Sequence, residues 1–133
     1  MTWFWRQRQG ALWHGDNHIA DGYSGAPEAR NDPAREQESN VGPLPRGIYR
    51  IGSPRDLQGG EHGPFVLPLT ACGSDPTFGR GGFLIHGDSK TAPGTASHGC
   101  IILPRDIRER IAASNDLFLV VVSGDDQRAP GAG

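Results

Sequence analysis

A thiol and two imidazoles lie close together in the sequence, at Cys100, His98 and His86. A cysteine is nucleophilic as its thiolate, and a nearby imidazole is the usual means of generating one near neutral pH. Gly99 lets the backbone turn sharply beside the thiol and expose N–H groups, which can bind the oxyanion of an acyl-transfer intermediate. These residue types in this order predict nucleophilic acyl-transfer chemistry centred on Cys100.

The general base has two candidates. His86 ends an apolar stretch and precedes Gly87, and the end of a strand beside a loop holds a catalytic group firmly while leaving it accessible to substrate. His98 is the rival, because it lies two residues before Cys100 and in an extended segment both side chains would point to the same face. The interpretation favours His86 as the base. His98 would then line the substrate groove, with its backbone near the oxyanion.

Several polar residues near these three could support them. Asp88 or Ser89 could accept a hydrogen bond from an imidazole nitrogen and determine its tautomer, or contact substrate. Arg80 could pair with a substrate carboxylate, because the guanidinium fork fits that group. A solvated turn aspartate and an exposed turn arginine are the simpler alternatives. Ser97 is expected to hydrogen bond the loop backbone, and Cys72, in a turn, is expected to be structural.

Composition limits the possible classes. The chain has 133 residues, a formal net charge of −2, 20 glycines and 11 prolines, which is typical of one domain of short strands joined by turns. The chain has no stripe of basic residues that would indicate nucleic-acid binding, and it has no apolar run that approaches transmembrane length. A disulfide between Cys72 and Cys100 is possible but would consume the candidate nucleophile, whereas a free pair fits synthesis in a reducing compartment. The N-terminus does not resemble a signal peptide, so we expect synthesis in the cytoplasm and delivery by another route.

The elements that must position these residues are mostly strands. Hydrophobic patterning predicts strands at 2–8, 11–14, 47–52, 65–71, 82–87 and 117–122. Pro68 suggests that its strand is an edge strand or bulged. Helices are predicted at 104–114 and, with Asp32 as N-cap, at 32–38, while the rest of 15–46 is expected to be loop. This order predicts a mainly β domain over 1–124, a sandwich or partly open barrel, with a flexible tail at 125–133.

The segment 83–103, FLIHGDSKTAPGTASHGCIIL, resembles the active-site segment of the L,D-transpeptidases (YkuD type). In that family a histidine on a strand is followed by a loop and Ser/Thr-His-Gly-Cys. Segments 22–25, 31–33, 42–49 and 79–80 resemble a compact subgroup, the L,D-transpeptidase-like effectors that bacterial type VI secretion delivers into rival cells. The resemblance implies an L,D-transpeptidase-like β-sandwich with one short helix after the cysteine.

The resemblance also implies a reaction. Cys100 would be the nucleophile, His86 its base, and the N–H groups around His98, Gly99 and Cys100 the oxyanion hole. The thiol would attack the carbonyl of the third residue in a peptidoglycan tetrapeptide stem and expel the terminal D-alanine. Water, a free D-amino acid or a second stem would then accept the acyl group, giving carboxypeptidase action, exchange or a 3→3 crosslink. No cofactor or metal is implied.

Two departures from the family pattern bear on the acceptor. Ile102 stands where housekeeping members usually carry arginine or asparagine, and the loop from His86 to Ser97 is short. Both features favour a small acceptor over a second stem. The resemblance further implies action in the periplasm of a target bacterium. A monomer without membrane insertion is the default expectation. A neutralising immunity protein and a secretion-system component would be its partners.

Two other readings remain open. An idle domain with this fold could bind peptidoglycan and anchor a larger assembly. Alternatively, His86, Asp88, His98 and Cys100 have the ligand types of a zinc peptidase or structural zinc site, although no familiar ligand spacing is present. For the cysteine enzyme, an ion pair between His86 and Cys100 predicts that a thiol reagent still inactivates the protein below about pH 8.5, the pKa of a free thiol.

Overall fold

A computed structural model describes residues 1–56 and 63–125, and in these the chain is mainly β. The described residues form nine strands and one α-helix, and two 3-10 turns lie at Pro27–Ala29 and Pro33–Arg35. The elements in chain order are β1 Trp3–Arg6, β2 Ala11–His14, β3 Asn17–Asp21, β4 Tyr23–Ser24, β5 Gly47–Ile51, β6 Leu67–Ala71, β7 Phe83–His86, β8 Ile101–Ile102, α1 Arg105–Ala113 and β9 Phe118–Val122. The predicted fold class, mainly β with one short helix after Cys100, is confirmed.

The nine strands form one sheet that nearly closes on itself. Its order is β3-β2-β1-β9-β5-β6-β7-β8-β4, so the two edge strands are consecutive in the chain. Gly22 is the single residue between them, and its N–H donates to the Gly10 carbonyl at 2.8 Å. A side chain on Gly22 would collide with the carbonyl of Ile102, so only glycine fits where the chain passes from one edge to the other. Of the two predicted architectures, the partly open barrel describes this arrangement.

The N-terminal hairpin and the last strand build the centre of the sheet. β1 pairs antiparallel with β2 and parallel with β9, as the predicted hairpin and central strand require. Gly10 takes a positive φ of 61° in the hairpin turn. Trp3 and Trp5 on β1 are fully buried and pack with Tyr49 and Leu119 in the core. The predicted helix at 104–114 is α1, which Pro104 and Ser114 cap and whose Ile111 packs into the same core.

Pro68 does not lie in an edge strand, so the edge-strand alternative for this proline is wrong. β6 pairs with β5 on one side and with β7 on the other. The Pro68 carbonyl accepts from Gly52 N–H, one residue past the last strand residue of β5. In an antiparallel strand the N and O of one residue point to the same neighbour. The missing N–H therefore faces the end of β5, where it costs little.

The region 15–46 contains more structure than predicted. β3 and β4 lie where a loop was expected, and the helix predicted at 32–38 is only a 3-10 turn at Pro33–Arg35. Its predicted cap is confirmed, because Asp32 accepts from the Ala34 N–H at 3.0 Å. β8, directly after Cys100, was also not predicted. It has two residues and is recognisable only from its pairing with β7 and β4. Apart from Asp125, the predicted tail at 125–133 lies outside the described residues.

Candidate active site

Cys100 and His86 are brought together by two neighbouring parallel strands. β7 ends at His86, Cys100 immediately precedes β8, and Ile85 is in register with Ile101. Ile85 and Ile101 are both fully buried in the core. Because side chains alternate across a strand, the residues before and after this pair share the opposite face. The pairing of the strands therefore places the imidazole and the thiol on one face of the sheet.

Both side chains line the same cavity, whose volume is about 560 Å³. His86 is 1% exposed, whereas Cys100 is half-buried and His98 is exposed. The other lining residues are Ser39, Asn40, Gly79, Arg80, Gly81, Gly82, Phe83, Ala96 and Gly99. Of the two, the Cys100 thiol is therefore the more accessible from the cavity.

The tautomer of His86 follows from a backbone contact. Its Nδ1 lies 2.9 Å from the carbonyl oxygen of Gly87. A carbonyl can only accept, so Nδ1 carries the proton and Nε2 is the nitrogen that can take one up. Asp88 and Ser89, the predicted orienting residues, act elsewhere. The Asp88 carboxylate accepts from Tyr23 Oη at 2.6 Å, and Ser89 Oγ accepts from the Ala92 N–H.

Ser97 ties the nucleophile segment to the neighbouring loop. It is fully buried, its Oγ accepts from Gly25 N at 2.8 Å and from Gly99 N at 3.1 Å, and it donates to the Cys100 carbonyl at 2.6 Å. Ser24 adds a bond from its Oγ to the Gly99 carbonyl at 3.2 Å. These bonds use the full hydrogen-bonding capacity of the Ser97 hydroxyl, as the expected backbone role requires.

The same bonds limit the predicted oxyanion hole. The Gly99 N–H donates to Ser97 Oγ, which removes it from the three predicted donors. The N–H groups of His98 and Cys100 are the remaining two. Gly99 itself has a φ of 141°, a conformation that favours glycine, and a Cβ there would collide with the guanidinium of Arg80.

Arg80 binds the protein's own backbone. Nη1 donates to the carbonyls of Glu36 and Pro43, and Nη2 donates to the carbonyls of Gly42 and His98. All four N–H groups of the two terminal nitrogens therefore have partners within the chain. The predicted pairing of its guanidinium fork with a substrate carboxylate is not available in this arrangement. Arg80 instead joins the loop at 36–43 to the segment that carries the nucleophile.

The surroundings of Cys100 favour its neutral thiol over the thiolate. Burial raises the pKa of Cys100, and it outweighs the backbone hydrogen bond from Leu84 and the charge of Arg80, which both lower the pKa. For this thiol to act as a nucleophile near neutral pH, a base would have to take its proton.

Tyr23, for which no role at the site was predicted, holds the loop between His86 and Cys100. Tyr23 Oη donates to Asp88 and accepts from the Ala96 N–H at 3.0 Å. Burial and the Asp88 hydrogen bond raise the Tyr23 pKa to about 12. Arg30 lies over the tyrosine ring at 4.5 Å and donates to the Gly94 carbonyl. Only the pairing of β4 with β8 brings Tyr23 here, so no local pattern could have indicated it.

The remaining expectations concern metals, cysteine pairing and membranes. Among the described residues, His86, Asp88, His98 and Cys100 do not form a metal site, and no other group of three or more such side chains does. Both cysteines are free, and Cys72 is exposed. No helix in the described part of the chain is long and apolar enough to span a membrane.

Comparison with family models matches residues 18–123 to the Tlde1 domain, a domain of type VI secretion effectors. The matched range includes His86, Cys100, the loop between them, and the Tyr23 and Arg80 contacts that support it. No curated protein and no solved structure matches the chain significantly.

Proposed function

The chain belongs to the Tlde1 domain family of type VI secretion effectors, and on that premise we propose that it is a cysteine-dependent enzyme that modifies peptidoglycan. The observation that carries the proposal is that the half-buried Cys100 thiol and the buried imidazole of His86 lie on one face of the sheet and line one cavity. The Gly87 carbonyl holds the proton of His86 on Nδ1, so that Nε2 can act as a base. The substrate we propose is the tetrapeptide stem, cleaved before its terminal D-alanine.

Acylation begins with a proton transfer. His86 Nε2 takes the proton of the Cys100 thiol as Sγ attacks the carbonyl carbon of the third stem residue. The oxygen of that carbonyl becomes an oxyanion, for which the N–H groups of His98 and Cys100 are the donors. The intermediate collapses when the C–N bond to D-alanine breaks and His86 returns its proton to the leaving amine. The product is a thioester on Cys100.

Deacylation repeats these steps with a new nucleophile. Water releases a shortened stem, and the net reaction is L,D-carboxypeptidase action. The amine of a free D-amino acid restores an amide bond, and the net reaction is exchange. Either outcome removes stems from which the target's crosslinking enzymes could take a donor, which suits an antibacterial effector in the periplasm of another cell. An immunity partner in the producing cell follows from such a role.

Two features supply the conditions that the thiol needs. The Arg80 charge favours the thiolate as it forms, and the Leu84 backbone donates a hydrogen bond to the sulfur. Both act against burial, which keeps the resting thiol neutral. The thiolate would therefore form when the base takes the thiol proton in the presence of substrate.

The test is a product analysis with a purified disaccharide-tetrapeptide, with and without a free D-amino acid, followed by mass spectrometry. We expect loss of the terminal residue, or its exchange, in the wild-type protein and in Cys72→Ala. Cys100→Ala and His86→Ala should show neither. Unchanged tetrapeptide in all conditions, together with binding to intact peptidoglycan, would overturn the enzymatic proposal and favour a binding domain.

A further inference from the structure

A second cavity, of about 790 Å³, adjoins the first and carries an excess of positive charge. Lys90, Arg105 and Arg108 line it, and Asp88 is the one carboxylate among its described lining residues. The Asp88 oxygens accept from Tyr23 Oη and from the N–H groups of Ser89 and Gly94. The carboxylate thus serves the loop at 88–96 and does not pair with any of the three cations.

Arg108 is the unusual member of this set. It is 6% exposed, and Nη1 donates to the carbonyls of Pro64 and Phe65 at 3.2 and 3.0 Å. Its Nε is buried and has no hydrogen-bond partner among the described residues. A buried guanidinium whose acceptors are neutral carbonyls is costly to desolvate, and an anion close to it would offset that cost. Burial and the nearby charge of Arg105 both lower the pKa of Arg108, and they outweigh the opposing charge of Glu109, which pairs with Arg105.

The position of Arg108 connects this cavity to the reaction. Its Nη2 lies against the α-carbon of Gly87, whose carbonyl orients His86. Ala96 and His98 line both cavities, so a small ligand can reach from one into the other. A carboxylate bound at Arg108 would therefore lie next to the cavity that contains Cys100.

We infer that the cavity lined by Lys90, Arg105 and Arg108 is a carboxylate subsite. It would bind the terminal carboxylate of the donor stem and, after cleavage, the carboxylate of the free D-amino acid that replaces it. Both ligands present the carboxylate of a D-amino acid at the same place, because exchange is the reverse of D-alanine release, carried out with a different amino acid. The inference rests on the proposed function for its ligand, and on the charge and burial of Arg108 for its site. A guanidinium is suited to it, because its fork matches a carboxylate.

The first experiment measures binding without chemistry. In Cys100→Ala protein, D-alanine and D-alaninamide, which lacks the carboxylate, are titrated and followed by NMR. We expect the amide to bind at least tenfold more weakly. Arg108→Met should weaken D-alanine binding at least tenfold and Lys90→Ala severalfold. Arg110→Met, on the exposed side of the same helix, is the matched control and should change nothing.

Equal binding of the two ligands, or equal affinities in Arg108→Met and Arg110→Met, would overturn the subsite. Lys90 is exposed, so its variant keeps the test valid if Arg108→Met is unfolded by circular dichroism. In that case unchanged D-alanine affinity in Lys90→Ala would overturn the assignment.

The second experiment separates this inference from the proposed function. In protein with an intact Cys100, the KM for tetrapeptide cleavage measures binding of the donor carboxylate. The ratio of exchange to hydrolysis measures binding of the acceptor carboxylate. We expect Lys90→Ala and Arg108→Met to raise KM and lower that ratio severalfold, with alkylation of Cys100 unchanged. Normal KM and ratio in both variants would overturn the subsite and leave the enzyme proposal standing. A wild-type protein that cleaves nothing would overturn the enzyme proposal, while the NMR titration still decides the subsite.

Discussion

Replacing Ser97 with alanine tests whether this hydroxyl is a structural group or part of the chemistry. The side chain is fully buried and makes three hydrogen bonds, from Gly25 N, from Gly99 N and to the Cys100 carbonyl. Alanine would leave two N–H groups and one carbonyl without this partner. Leaving a buried polar group unsatisfied costs about 1–3 kcal/mol. Three groups at the lower end of that range predict a loss of roughly 3 kcal/mol in the free energy of unfolding.

The assay is urea unfolding followed by tryptophan fluorescence, since Trp3 and Trp5 are fully buried in the core. For a domain of this size the predicted loss lowers the melting temperature by roughly 10 °C. Ser24→Ala is the comparison variant. Ser24 Oγ donates to the Gly99 carbonyl and accepts from Leu44 N, so it leaves two unsatisfied groups and should cost about 2 kcal/mol.

The reasoning fails if Ser97→Ala unfolds within about 0.5 kcal/mol of the wild-type protein, the range of an ordinary surface substitution. If that stable variant also fails to form an acyl-enzyme, Ser97 takes part in the chemistry. A variant that retains the hydroxyl, Ser97→Thr, should recover part of the lost stability. If Ser97→Thr loses as much stability as Ser97→Ala, the serine stabilises the fold through its packing and not through its hydrogen bonds.

Three further predictions concern the surroundings of the site. Burial raises the pKa of Cys100, so the rate of Cys100 alkylation by iodoacetamide should still increase above about pH 8.5. The measurement uses a variant without the other cysteine. An alkylation rate that reaches its plateau below pH 7 would indicate a preformed thiolate. Gly99→Ala should abolish activity and lower the melting temperature, because its Cβ meets the Arg80 guanidinium; normal kinetics would refute that contact. Glu36 has a lowered pKa because hydrogen bonds from Arg46 and Gln7 outweigh its burial. Its stabilisation is therefore present above its unfolded pKa of about 4.3 and disappears as pH falls through the lower folded value. Urea midpoints should fall more steeply below pH 4.5 in wild type than in Glu36→Gln, and parallel curves would contradict the pKa shift.

The elements that were predicted well are those whose pattern is complete within a few residues. The hairpin of β1 and β2, the strand before His86 and the helix α1 each follow from local alternation, a turn glycine or a proline at the helix start. β3, β4 and β8 were missed for the opposite reason. β4 and β8 have two residues each, and β3 is largely exposed, so neither alternation nor apolar runs distinguish them from loop.

The candidate site divides in the same way. Cys100 and His86 were predicted from the sequence because they lie in one continuous segment, and the structure adds that two paired strands place both on one face. The groups that orient them were not identified. The Gly87 carbonyl takes the role expected of Asp88, and Arg80 binds carbonyls where a substrate carboxylate was expected. Backbone carbonyls have no signature in a sequence, so these partners could not be predicted.

By itself the sequence determined which chemical groups are present, that a thiol and an imidazole are adjacent in the chain, and that a mainly β domain must hold them. Only the tertiary structure decided how they are supported. The near closure of the sheet brings Tyr23 to Asp88 and Ser24 to Gly99, contacts between residues far apart in the chain. The same packing buries Arg108 beside the catalytic loop. Such contacts depend on which strands pair and in what register, and the local period of a sequence does not encode the identity of a distant partner.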